Sequence, residues 1–210
     1  MNLLSPLISF DLGYLSYFPL IGIDEAGRGP LAGPLVVAGV KFKSYHTLPE
    51  WVCHVNDSKK LSSLKRRDLF FRVQDSMPHY LDYSINVIDV CTVDKLNILE
   101  ATMEGMRRCI DALYTDGGIV LVDGNRCPVP ETWCRPVVKG DSCSLAIATA
   151  SILAKVYRDN LMIELAEEHP QYGWERNAGY GTAAHLKALR QHGVTPYHRK
   201  SFAPIRNLSI

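Results

Sequence analysis

Apolar positions along this chain follow two rhythms. Some alternate or run unbroken over a few residues, as strands do, and others recur every three or four, as helices do. Residues 20–24 and 35–42 read as strands, and only a short glycine loop separates them, so an antiparallel hairpin is the natural pairing. Residues 62–77 read as a helix capped by Ser62 or Ser63, and 83–87 alternates like a strand. Leu96, Leu99, Met103, Met106 and Ile110 predict one helix over 93–113. The nearly all-apolar GIVLVD at 118–123 has the pattern of a central strand, and 133–138 is a further strand candidate. A long helix is expected over 142–169, with Ala146, Ala150 and Ala154 as a small-residue face. A last helix is expected over 182–191, with Thr182 as cap and Gly193 just past its end. Strands that first meander and then alternate with helices predict an α/β domain: a mixed β-sheet flanked by helices, with a small helical C-terminal part over about 170–210.

The N-terminal MNLLSPLISFDLGYLSYFPL is apolar but contains Asp11, Gly13 and two prolines. It has no basic start and no uninterrupted apolar stretch, so neither a secretory signal nor a membrane span is expected. Residues 1–19 are read as an extension, packed or loosely ordered, ahead of a domain over 20–210. Cys53, Cys91, Cys109, Cys127, Cys134 and Cys143 form no C-x-x-C pair and read as reduced thiols of a cytoplasmic protein. A zinc site from Cys127, Cys134 and a histidine is the weaker alternative.

Composition is ordinary for a globular protein, and the formal net charge of +1 conceals an uneven distribution. Residues 82–131 hold nine acids and four bases, whereas 176–210 hold six bases and no acid. Another basic stretch, DSKKLSSLKRRDLFFR, begins at Asp57. The asymmetry fits an anionic partner held by basic regions around an acidic centre, although solvated basic faces give the same count.

The stretch IGIDEAGRGPLAGP at 21–34 carries more. Gly27, Gly29 and Gly33 superficially look like a dinucleotide loop, but the spacing is G-x-G-x-x-x-G and Pro30 interrupts it. A strand also follows where a helix N-terminus would have to begin. A tight turn explains the glycines but leaves Asp24 and Glu25 unexplained. Asp123 ends the apolar strand, and Asp141 follows 18 residues later. Singly, either of these two reads equally well as a turn or cap residue. Four carboxylates at the ends of neighbouring strands would raise one another's pKa, and a divalent cation relieves that repulsion. An all-oxygen set suits Mg2+ or Mn2+ rather than zinc or copper. Two such ions about 4 Å apart clamp the attacking and leaving oxygens of a phosphodiester.

The stretches GIDEAGRGPLAGP, NDSKKLS, VDKLNILEAT, LVDGNRCP, VVKGDS followed by ASILAKVYRD, HPQYGWERNAGYGT and HRKSF run in this order from about Ile21 to Pro204. Together they make the chain resemble the bacterial ribonuclease HII family over nearly its whole length. Small departures are the apolar extension and Thr149, where the family usually has alanine. The resemblance implies a ribonuclease H-like fold and hydrolysis of RNA in RNA–DNA hybrids, including incision 5′ of single ribonucleotides in DNA. It maps the metal-binding, catalytic carboxylates onto Asp24, Glu25, Asp123 and Asp141. It maps the loop that reads the ribose 2′-OH onto Gly27, Arg28 and Gly29, and the tyrosine that packs on the following sugar onto Tyr180. Lys59 becomes a backbone contact, and Lys60, Arg199 and Lys200 are further candidates for phosphate contacts, although any one of the four reads equally well as a solvated surface charge. His185, His192 and His198 are expected on the surface or in packing. The implied partner is nucleic acid, bound by a monomer away from any membrane. Two alternatives remain. A hybrid-binding module without catalysis would be signalled by loss of a carboxylate, and none is lost. An HIII-type enzyme, preferring long RNA tracts, would carry a sizeable extra N-terminal domain.

Overall fold

The computed structural model of the chain describes residues 5–207. Its sheet has five strands: β1 (Leu20–Ala26), β2 (Leu35–Phe42), β3 (Leu81–Ile88), β4 (Ile119–Asp123) and β5 (Cys134–Val137). Their order is β3-β2-β1-β4-β5, with the first three strands in chain order forming an antiparallel meander and β4 and β5 running parallel to β1. The helices are α1 (Pro6–Leu12), α2 (Ser63–Asp75), α3 (Val90–Leu96), α4 (Ile98–Leu113), α5 (Leu145–Glu168), α6 (Trp174–Asn177), α7 (Ala183–His192) and α8 (Ala203–Arg206). The expected mixed sheet flanked by helices is therefore the fold.

Alternation of the strand side chains makes two cores. Leu20, Val36, Ala38, Val40, Phe42 and Leu121 face α5, with α1 and α2 beside it. Ile21, Ile23, Leu35, Val37, Val120 and Val122 face α4. A third cluster joins Leu31, Met162, Trp174, Leu189 and Ile205 in the C-terminal part. Gly22 explains how closely α5 lies on β1: a β-carbon there would collide with the backbone of Ala146 and Ile147. The small-residue face of α5 is thus the surface that rests on the central strand.

Asn97 divides the helix expected over 93–113. Its φ of 69° is off the helical path, and its side chain accepts from the Leu99 and Glu100 amides, so it ends α3 and caps α4. The helix expected over 142–169 begins later, at Leu145, with Ser144 accepting from the Ile147 amide. Asp141 instead lies in a 3-10 turn over Gly140–Ser142.

In the N-terminal extension α1 is packed, whereas Tyr17 and Phe18 are exposed. α1 buries Leu7, Ile8 and Asp11, and Asp11 Oδ2 accepts from the Ala146 amide at 3.0 Å and the Tyr45 hydroxyl at 2.8 Å. A carboxylate at the first turn of α5 is favourable toward the helix dipole. Burial nevertheless pushes its pKa up to about 6. All six cysteines are free thiols. Among the described residues no helix is long and apolar enough to cross a membrane.

Candidate active site

The parallel pairing of β1 and β4 gathers the acids. Ile23 pairs with Val122, so Asp24 and Asp123 stand one step further along both strands, at the same edge of the sheet. Both point to the α5 face, as Leu20 and Leu121 do. Glu25 points toward the opposite face, and the bend of the following loop keeps it on the same cleft. Asp123 Oδ1 accepts from the Gly140 amide at 2.7 Å, which ties the end of β4 to the turn carrying Asp141.

A cleft of about 400 Å³ results. Asp24, Glu25, Gly27, Arg28, Gly29, Lys59, Asp123 and Tyr180 all line it. Asp141 is buried and not on its wall, but its Oδ2 lies 3.4 Å from Lys59 Nζ, which reaches over the cleft. Of the four acids, the Gly27, Arg28 and Gly29 loop, Lys59 and Tyr180, all but Asp141 therefore share one cavity, and Asp141 touches it through Lys59.

The electrostatics are those of crowded acids. Burial, then Glu25, then Asp123 hold the Asp24 carboxyl well above its ordinary range. Burial raises Glu25 as well; Arg28, 3.3 Å away, opposes this and Asp123 adds to it. Asp123 is raised by burial, against the Gly140 amide and with Asp141. Burial pulls the Lys59 ammonium down, but Asp141, Asp24 and Asp57 outweigh it and leave it raised. Glu25 Oε2 is buried with no hydrogen-bond partner. A buried carboxylate oxygen without a donor, beside three further acids, fits a divalent cation held by oxygen ligands. Among the described residues no three acids, histidines or cysteines converge on one point as placed. The reason is local: Arg28 takes Glu25, Lys59 takes Asp141, and backbone amides take Asp24 and Asp123.

The glycine loop and Tyr180 face each other. A methyl group added at Gly29 would sit 3.4 Å from Tyr180 Cε1. Gly27 has φ 100°, and a β-carbon there would strike the Arg158 side chain. The tyrosine is 47% exposed and lines the cleft. Its carbonyl accepts from the His185 ring at 2.9 Å. Thr195 N–H donates to His198 Nδ1, so His198 Nε2 carries the proton and donates to His185 Nε2 at 3.1 Å. His185 and His198 are thus packing histidines, as expected, and they hold the backbone of Tyr180. His192 is exposed.

One expectation fails. Arg199 does not meet phosphates: it is fully buried and donates to the carbonyls of Gly33 and Arg28. Lys60 and Lys200 are exposed. Residues that the reading of the sequence did not single out also line the cleft, namely Ser58, Ser151, Lys155 and Arg158. The last three recur at helical spacing within ASILAKVYRD, so the helical period, applied to that stretch, was the available signal.

A mixed sheet with carboxylates at the adjoining ends of its central parallel strands places the protein in the ribonuclease H-like class of α/β folds. The chain belongs to the ribonuclease HII family, whose model, described as Ribonuclease HII, matches residues 21–205. It is 46% identical over 198 residues to the Ribonuclease HII of Paramagnetospirillum magneticum, covering 94% of each chain. It superposes with a TM-score of 0.73 on the enzyme in the PCNA:RNase HII complex from Archaeoglobus fulgidus, at 25% identity, over 89% of this chain and 96% of that one. A Bst-RNase HIII solved in complex with Mn2+ shares the fold at 18% identity and a TM-score of 0.66, over 92% of this chain and 70% of that one. Family membership makes the chain a nuclease, a hydrolase acting on nucleic acid.

Proposed function

We propose that the protein is a metal-dependent endonuclease that cuts the RNA strand of RNA–DNA hybrids and incises 5′ of single ribonucleotides in duplex DNA. It leaves 3′-hydroxyl and 5′-phosphate ends. The observation that carries this reading is one adjacency: the acids Asp24 and Glu25 lead without interruption into the glycine loop that faces Tyr180.

Asp24, Glu25, Asp123 and Asp141 would hold Mg2+ or Mn2+, two ions in the substrate complex. Bound there, such ions supply the Lewis acidity that activates water and neutralises a leaving 3′-oxygen. The chain's own residues do the choosing. Gly27, Arg28 and Gly29 present main-chain groups to the 2′-OH, the group that separates RNA from DNA. Tyr180 offers a flat face to the sugar of the next deoxynucleotide. Arg28 and Lys59, paired here with Glu25 and Asp141, would be available to phosphate once those acids held metal. Lys59 and Lys60 then meet the backbone without regard to sequence. The protein acts as a monomer.

The test is cleavage of three matched duplexes, one with a single ribonucleotide, one with a long RNA tract and one all DNA, with Mn2+, with Mg2+ and with EDTA. The reading requires metal-dependent cuts in the first two and none in the third. Cleavage of the all-DNA duplex, or cleavage in EDTA, contradicts it.

A further inference from the structure

Two arginines sit where a charge is costly. Arg158 on α5 and Arg199 near the C-terminus are 1% and 0% exposed. Among the described residues neither forms an ion pair. Burial lowers both, and with Arg158 nearby Arg199 falls to about 9. A guanidinium out of water and away from a carboxylate is expensive unless its nitrogens find acceptors.

Here they are used on main-chain carbonyls. Arg158 donates to Pro34 O at 2.9 Å, Ala178 O at 3.0 Å and Ala32 O at 3.1 Å. Arg199 donates twice to Gly33 O, at 3.0 and 2.9 Å, and once to Arg28 O at 3.1 Å. Four of these carbonyls belong to the loop after β1, and the fifth lies two residues before Tyr180. The stem of Arg158 also lies directly against Gly27. The same two segments are joined by the Leu31 amide, which donates to Gly179 O at 2.8 Å. A single β-bridge, Ala32 to His198, is the loop's strand-like pairing, so most of its carbonyls need other donors, and a planar five-donor fork can hold several at once.

We propose that Arg158 and Arg199 are positioning residues that pin the Gly27, Arg28 and Gly29 backbone at a set distance from Tyr180. In doing so they set the preference for a single ribonucleotide over a long RNA tract. This rests on the functional reading above. Filling the cavity would need only packing, which apolar side chains provide without burying charge. What apolar side chains cannot do is fix five carbonyls from two segments that both line the substrate cleft.

The experiment uses the full chain with Arg199→Lys and Arg158→Lys, which keep charge and stem but lose the fork. Met106→Ala, buried on the other face of the sheet, serves as a control for loss of stability alone. kcat and KM are measured on single-ribonucleotide and long-hybrid duplexes, and amide exchange is followed at Leu31, Ala32, Gly33 and Tyr180. The arginine variants should lose about tenfold more kcat on the single-ribonucleotide duplex than on the long hybrid, as a misplaced recognition element would cause. Their exchange should quicken at those four amides and not in α4. Met106→Ala should leave both the rate ratio and the loop exchange as in wild type. Wild-type exchange in the arginine variants overturns the pinning, whatever the rates. Faster exchange with an unchanged ratio, or an equal shift in Met106→Ala, overturns the link to selectivity. If wild type itself fails to cut at single ribonucleotides, the functional reading fails on that result alone, and exchange still decides the pinning.

Discussion

Lys59 Nζ lies 3.4 Å from Asp141 Oδ2, an 82% exposed ammonium leaning over a buried carboxylate. The lysine is the counter-charge of the acid cluster as the chain stands, since its charge also reaches Asp24. A cation held by these oxygens would therefore have to compete with it.

Two opposite effects should follow from Lys59→Met. Divalent-ion affinity, read by titration calorimetry, should rise by up to about fivefold, the scale of an exposed ion pair. KM for a nucleic-acid duplex should rise as well, most visibly at low salt. Weaker metal binding in the variant would show that Lys59 helps build the site rather than competing for it.

Tyr180 should matter unequally between substrates. Its ring lies beside Gly29 on the wall of the cleft, so removing it in Tyr180→Ala should cost cleavage at single ribonucleotides roughly tenfold more than cleavage of long RNA tracts, in line with the loss of one stacked contact. Equal losses on both duplexes count against junction reading.

The N-terminal helix should act on stability alone. Asp11→Ala leaves the buried Tyr45 hydroxyl and the Ala146 amide without their acceptor, a loss of roughly 2 kcal/mol. A fall in melting temperature of several degrees is expected, with the activity per folded molecule preserved. An unchanged melting temperature means that these two hydrogen bonds contribute nothing to stability.

The histidine pair gives a pH-dependent signature. Burial, then the neighbouring His185, lower His198 from the usual 6.5 to about 4. Between these values the unfolded chain binds the proton and the folded chain does not, so this group's contribution to stability is complete above about pH 6.5 and is lost as pH falls toward 4. The buried acids Asp11 and Asp24, whose pKa values are raised, slope the other way. The informative quantity is thus the difference from His198→Gln, which can keep both hydrogen bonds without titrating. The stability of wild type relative to the variant should fall from pH 7 to pH 5. A difference that stays flat refutes the assignment of a neutral pair.

Much of this was legible in the chain itself, because burial and chemistry coincide where apolar runs end on acids. β2 lies over Leu35–Phe42 as its Val-rich apolar run implies, and Asp24 and Asp123 share an edge as strand-end acids should. The break at Asn97 was hidden because the spacing of apolar residues continues across it and only the backbone angle changes. Arg199 was misread for a different reason. Local sequence does not distinguish an arginine that meets a phosphate from one that caps carbonyls, since both need the same donors; only the fold decides which oxygens are near. The helical C-terminal segments hold few long apolar runs, so their order comes from Trp174, Tyr172 and the two histidines packing together.

The central claim is that Asp24 and its neighbours do chemistry on the bond beside the residue that the glycine loop selects. The most direct measurement compares wild type and Asp24→Asn on a duplex carrying one ribonucleotide, with saturating Mn2+ and with melting curves to show that both are folded. The account predicts a folded variant that still binds the duplex and cuts it about 100-fold more slowly or worse. Cleavage by Asp24→Asn near the wild-type rate would contradict it.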